Sequence, residues 1–482
     1  MRNAELLSLG LIEIAQKIRT GEVTSLEVTE AMLSALDKEG RALNATARVH
    51  AEAAREEAAR CDAERRRGIL RGALHGVPLA HKDMFHHAGR PSEMGSLIFK
   101  NYVPQVTATV IERLSAAGSI DVGRLNMVEF ALGVTGHNDH TGHPKNAWNP
   151  ERVTGGSTSG GATAVAARLT FATLGSDTGG SIRTPSSLCG VVGIKPTYGR
   201  VSRANAMPLS FSLDHVGPIA RSAADCALML ELIAGFDPKD GTTSRRPVER
   251  YRQRIGQPIK GLRVTLATEE GFEGPLDDDV RNGFAEAGRV LAEIGLEATK
   301  RPLPPMEPLN ALRRLISVVE VASLHETLVR TRPHDYNVTT TSRMLPGFAA
   351  PASAYLRALS ARAGQLRAYC DAVFADADII ALPTIPQRPP TIAETSTGGD
   401  ARYVQASNEL AALIGAFNYL GLPALSTPMG FDRDGMPMGL QLVGRPFAEA
   451  QLLAVAEAFE SATGFAVRRP AWLERGGMPA RA

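Results

Sequence analysis

A chain of 482 residues with 53 basic and 51 acidic side chains has a net charge of +2, too balanced to argue for a nucleic-acid partner, and no basic stripe with interleaved aromatics is visible. Its four cysteines (Cys61, Cys189, Cys226, Cys370) are scattered without C-x-x-C spacing, so buried free thiols are expected rather than disulfides or a thiolate metal site. No run of about eighteen apolar residues suits a membrane span, and the N-terminus lacks the apolar run of a signal peptide, which leaves a cytoplasmic enzyme with no membrane partner as the expectation.

In chain order, Leu6 to Ile18 and Leu26 to Leu36 have helical periodicity, with Ser25 as N-cap of the second. Ala51 to Arg67 reads as a surface helix. Val77 to His81 reads as a short buried strand that sets Lys82 at its end. Thr107 to Ala117 is predicted helical, Ser119 to Gly123 a strand, Ala162 to Leu169 a helix, and Phe171 to Gly175 a strand that delivers Asp177 to Ser181 onto a turn. Phe236 to Gly261, polar and interrupted by prolines, reads as a long connection. Arg263 to Thr268 is then a strand and Asp278 to Ile294 a helix. The stretch from about Pro302 to Arg367 is mostly helical, Asp378 to Thr384 is another buried strand, and the tail from Arg468 is expected to be loose. Strands, turns and helices that alternate in this way favour an α/β class.

The chemistry concentrates in Thr154 to Thr184, which holds two glycine-serine turns, GGSTSGG (Gly155 to Gly161) and GSDTGGSIR (Gly175 to Arg183). Upstream, a lone lysine sits in GVPLAHKDMF (Gly76 to Phe85). A serine hydroxyl is a weak nucleophile until a base takes its proton. Lysine can serve as that base only when neutral, and apolar burial lowers its pKa toward that condition. Flanking glycines let backbone N–H groups approach a reacting carbonyl.

These motifs resemble the amidase signature family of serine hydrolases. The likeness extends over LNMVEFALG (Leu125 to Gly133), PKNAWNPERVTGG (Pro144 to Gly156), CGVVGIKPTYGRVSR (Cys189 to Arg203), SLDHVGPIARS (Ser212 to Ser222) and the segment from Asn418 to Leu453. The resemblance implies an amidase signature fold, a large central mixed β-sheet flanked by α-helices on both faces. It implies one domain over 1–482, with a signature core at about 70–222, a substrate-covering helical region at about 300–376 and a loose tail at about 468–482. It casts Lys82 as base, Ser157 as bridging serine after a cis peptide bond, and Ser181 as nucleophile. It places the oxyanion hole on the N–H groups of Thr178, Gly179, Gly180 and Ser181, and sets Ala131 beside the acyl pocket. Asp83 and Asp177 read as structural carboxylates, with Arg183 holding the turn. Thr158 stands where the family usually has a second serine.

The implied reaction is cofactor-independent hydrolysis of an amide or carbamate (urethane), with anilides as further substrates, by a stand-alone amidase. Its partner is a small molecule, and dimers are common in the family. The alternative is the glutaminase subunit of a tRNA-dependent amidotransferase. Two departures count against it: TGHND (Thr135 to Asp139), and Ala411 at about the place of an aspartate. A non-catalytic binding protein is disfavoured because all three reactive residues are present. GGSTSGG lacks the lysine of a phosphate loop. HNDHTGH (His137 to His143), with His81, His86 and His87, invites a metal reading, but a loop or substrate-contact role is preferred and no metal is expected.

Overall fold

The computed structural model describes residues 2–474 except 397 and 399. Eleven strands are present among them: β1 (Thr46–Val49), β2 (Pro78–Lys82), β3 (Ile120–Leu125), β4 (Ala172–Asp177), β5 (Val192–Lys195), β6 (His215–Ala220), β7 (Arg263–Thr268), β8 (Glu297–Pro302), β9 (Ile379–Pro383), β10 (Ala424–Phe431) and β11 (Pro437–Gly444). Eight of them form one sheet in the order β4-β6-β5-β10-β11-β9-β7-β8, and β1-β3-β2 form a second. The large sheet is mixed: β4 through β9 pair antiparallel along that order, while β9, β7 and β8 run parallel.

β5, β9 and β11 are buried along their whole length, and β9, IIALP, is the continuous apolar run such burial calls for. Helices cover both faces. Gly439 and Gly444 on β11 point to opposite sides of the sheet, since side chains alternate along a strand. Gly439 faces Ser187 of the helix Arg183–Cys189, and Gly444 faces Leu452 of the helix Glu449–Thr463. At the edge, β8 is mostly exposed and carries Glu297, Lys300, Arg301 and Pro302, the charged composition that keeps an open edge from pairing with another chain. The small sheet meets the large one where β2 lies against β4, with Leu174 N–H donating to His81 Nδ1 at 3.1 Å.

Several expectations shift. The N-terminal helix is two, Arg2–Ser8 and Leu11–Thr20. The second starts where Asp225 accepts from Leu11 and Ile12 N–H at 3.1 and 3.0 Å. The cap of the next helix is Thr24, not Ser25, because Glu27 completes a reciprocal capping box with it. Lys82 stands at the end of β2 as expected, and the strand spans Pro78–Lys82. The covering region holds the helices Glu307–Thr331, Val338–Met344 and Ala352–Val373. The tail is not loose at its start. Trp472 is 7% exposed, and its Nε1 donates to Ala147 O at 2.8 Å. Residues 475–482 of the expected tail lie outside the described residues. Among the described residues, no helix is long and apolar enough to cross a membrane.

Candidate active site

Two strands, β2 and β4, position two of the three residues expected to react, Lys82 and Ser181. β2 ends on Lys82, which is completely buried. Its Nζ donates to Ser157 Oγ at 2.7 Å and to Ser176 Oγ, on β4, at 2.9 Å. Burial pushes the Lys82 ammonium down to about 7, against the pull of Asp214 and Asp177. The amine is therefore available in its neutral form near neutral pH.

Ser157 follows a cis peptide bond, Gly156–Ser157. Two main-chain bonds tie this bond to the preceding loop: Gly156 N–H to Val134 O at 2.7 Å, and Val128 N–H to Ser157 O at 3.2 Å. The same loop holds Ala131, buried, in a left-handed conformation at φ 61° directly after Phe130 at φ 49°. Two successive non-glycine residues there store about 1–3 kcal/mol each and persist only where packing enforces them.

Ser181 is 5% exposed and sits on the turn after β4. Its carbonyl accepts from Thr158 N–H at 3.3 Å, which binds the two serine turns together. Ser181 Oγ makes no hydrogen bond among the described residues, to Ser157 or to any other group. The turn is organised by Asp177. Its carboxylate accepts from Gly180 N–H at 2.8 Å, Ile182 N–H at 3.2 Å, Arg183 Nε and Nη2 at 3.0 Å each, and Asn418 Nδ2 at 2.7 Å. Arg183 also reaches Gln441 at 2.7 Å and Ile414 O at 3.1 Å. Burial would raise the Asp177 carboxyl, but Arg183 and Lys195 hold it well below the usual carboxylate range.

Gly180 turns the chain at φ 130°, a conformation open to glycine alone. Of the four N–H groups expected to face an oxyanion, that of Gly180 donates to Asp177 here. Thr178 Oγ1 donates to Asp214. Asp83 accepts from Glu93 N–H at 3.0 Å, as a structural carboxylate would. A cleft of about 290 Å³ approaches Ser176, and so the lysine, between Met84, Met207, Phe211 and Asp214.

The histidines of the His137–His143 segment take separate partners. His137 Nε2 lies 2.6 Å from Thr395 Oγ1, His140 Nε2 lies 3.0 Å from Glu129, and His143 Nδ1 accepts from Asn138 N–H at 3.1 Å. Among the described residues, one group brings three ligand atoms of metal-binding type together, Cys61, Glu64 and His75. Both Glu64 oxygens are taken by Arg71 at 2.7 Å, and both His75 nitrogens are engaged. Burial also pushes the Cys61 thiol up to about 11. That donor set is spent on structure.

Sequence reasoning did not single out Ser176, Asn418 or Arg313. Ser176 directly precedes Asp177 on a strand, and that neighbourhood was a usable signal. Asn418 comes from the far end of the chain and Arg313 from the covering helix, and neither carries a local signal.

Comparison with known proteins identifies the family. The family model described as Amidase matches residues 27–453. The A subunit of glutamyl-tRNA(Gln) amidotransferase from Azotobacter vinelandii is 38% identical over 484 residues, covering 96% of this chain and 99% of its own. A solved structure from work on a vestigial protein complex and the origins of an s-triazine catabolic enzyme superposes with a TM-score of 0.88 at 32% identity, covering 96% of this chain and all of the other. The structure of 6-aminohexanoate cyclic dimer hydrolase with its substrate also gives 0.88, at 27% identity and 97% and 99% coverage. The amidotransferase name among the relatives counts against the expected stand-alone amidase. It also counts against the expectation, drawn from net charge, of no nucleic-acid partner. The chain belongs to the amidase family, as a hydrolase of carbon–nitrogen bonds built on the amidase signature fold.

Proposed function

We propose that the chain cleaves an amide through an acyl-enzyme formed on Ser181. The observation that carries this reading is the 2.7 Å contact between a buried Lys82, held near neutrality, and Ser157 Oγ. Ser181 Oγ attacks the carbonyl carbon while its proton passes to Ser157 and the Ser157 proton to Lys82. The oxyanion forms against the N–H groups of Thr178, Gly179 and Ser181. The lysine proton returns through Ser157 to the leaving nitrogen, the C–N bond breaks, and water releases the acyl group by the same relay. Labelling with a serine-directed phosphonate tests this: mass gain on Ser181 supports it, and label on another serine overturns it.

The end-to-end match to amidotransferase A subunits favours the glutaminase subunit of a tRNA-dependent amidotransferase as the finer reading. Its nucleic-acid partner would be met through the complex, which suits a chain of nearly balanced charge. Ala411 and the Thr135–Asp139 segment, together with the likeness to 6-aminohexanoate cyclic dimer hydrolase, support a stand-alone amidase acting on amides, anilides or carbamates as the second reading. Four free cysteines suit the reducing cytoplasm in either case. Copurification of partner subunits with glutaminase activity supports the first. Turnover of anilides or carbamates by the isolated chain supports the second.

A further inference from the structure

Arg313, on the helix Glu307–Thr331, reaches the turn that carries Ser181. A methyl group built on Gly179 would stand 2.5 Å from Arg313 Nη1, so the guanidinium occupies the space a side chain at this position would fill. Gly415 makes the same close approach from the other side: a methyl there would meet Arg313 Nε at 2.7 Å and Asn310 Oδ1 at 2.6 Å. Arg313 Nε and Asn310 Oδ1 are both buried, and both lack a hydrogen-bond partner. Among the described residues, Arg313 forms no hydrogen bond or ion pair at all. Its neighbour Arg314 is paired with Glu307.

The charges around Arg313 do not supply the missing anion. Arg314, Arg343 and Arg183 all act on it as like charges. Two carboxylates act on it and both are engaged elsewhere: Asp177 accepts from Arg183, Asn418 and the N–H groups of Gly180 and Ile182, and Glu307 is paired with Arg314. Burial of part of the side chain and the like charges of Arg314, Arg343 and Arg183 push Arg313 down to about 9, against the pull of Asp177. Arg313 Nε is buried without a partner while the residue as a whole is half-buried, so the guanidinium is unpaired within the chain and reachable from outside it, where an anion would complete it.

We infer that Arg313 is a specificity-determining residue that reads a carboxylate on the substrate, so the preferred substrates are anionic amides. The inference rests on the reading of Ser181 as nucleophile, because that reading makes the Gly179–Ser181 turn the place where the scissile carbonyl sits. Gly179 lies two residues before Ser181, at most about 7 Å along the backbone. The carboxylate and the amide are therefore separated by only a few bonds. A planar guanidinium matches a carboxylate through two parallel hydrogen bonds, which a lysine ammonium does not reproduce. Positive potential from Arg343 adds to the preference and disfavours substrates with a cation at the same end.

The test compares glutaramate with glutaramide, two short amides that differ in a carboxylate against a carboxamide. For the wild-type protein, kcat/KM per amide group is expected to favour glutaramate by about tenfold or more, the range that hydrogen bonds to charged groups span. Arg313→Gln should bring the ratio near one, with the loss mainly in KM, and Arg313→Lys should fall between. Calorimetric titration with glutarate reads the same site without turnover: wild-type protein should bind it, and Arg313→Gln should bind it at least tenfold more weakly. A wild-type ratio of one, a preference unchanged in Arg313→Gln, or equal glutarate affinity in both proteins overturns the inference. Phosphonate labelling of Ser181, run in parallel, keeps the two readings apart. Label on Ser181 without carboxylate preference sinks the role of Arg313 alone. Glutarate binding lost in Arg313→Gln with no label on Ser181 sinks the nucleophile alone. Should Arg313→Gln fail to fold, the glutaramate preference of wild-type protein and its reduction in Arg313→Lys decide the matter.

Discussion

The turn from Asp177 to Arg183 and the helix that covers it are built on opposite terms. In the turn, every donor of Arg183 has a partner, and Asp177 accepts from side chains and main chain alike. In the helix above, Arg313 faces that turn with nothing to bind. The lower region is a closed hydrogen-bond network, fixed before any substrate arrives, as electrostatic catalysis requires. The upper region is open and is completed from outside. Chemistry common to many amides is invested in the first. Selection among amides is invested in the second.

The largest effect should come from Ser181→Ala. Turnover should fall about a thousandfold or more on every substrate tested, with the thermal transition unchanged, because the variant removes the attacking oxygen and leaves the network around it. Lys82 gives the next largest. Lys82→Arg should cost about a hundredfold or more in kcat, since guanidinium stays charged where the relay needs a neutral acceptor. Under the proposed relay the working form is the neutral amine, whose pKa burial holds at about 7. The rate should therefore rise with pH up to about 7 and level above it, and a rate flat from acid to alkali would remove lysine from the mechanism. Asp177→Asn strikes the closed network itself. It strips Arg183 of its carboxylate in a fully buried setting, and about 3–5 kcal/mol of stability should be lost in urea titration. If it is lost without slower labelling of Ser181, the network serves the fold more than the reaction. The smallest effect is expected from EDTA, which should leave turnover unchanged because His137, His140 and His143 are spent on Thr395, Glu129 and Asn138. Reversible inactivation by the chelator would place a metal in the reaction.

What could be read from the chain depended on how local the cause was. β7 was bounded from its apolar run alone, and the residues of the two serine turns stood out because glycines and serines at such density have few other uses. The break between the first two helices was not readable, since the group that starts the second, Asp225, lies 214 residues away from Leu11. The cap at Thr24 was readable and was misplaced by one residue. Its signal was Glu27 three positions on, while the Ser25 hydroxyl is turned to Gly76 O at 2.6 Å. Lys82 and Ser157 were legible as a pair, yet Ser176 as the second partner of the lysine was not, because it depends on β2 lying beside β4. Arg313 was the least legible. Its helix mixes apolar and charged residues without a clear face, and only its packing against the segment that contains Gly415 decides which arginine looks down.

Trp472 has a bearing on how the molecule is handled and how it ages. Its indole closes on Ala147, in the stretch of chain that leads into the first serine turn, so residues 325 apart in sequence share one anchor. Proteolytic clipping ahead of Trp472 would release that stretch while sparing all the residues assigned to bond cleavage. Preparations that look intact by peptide coverage of everything before that tryptophan could then differ in activity, and intact-mass measurement of the C-terminal end becomes the sensible release criterion for any assay of this protein.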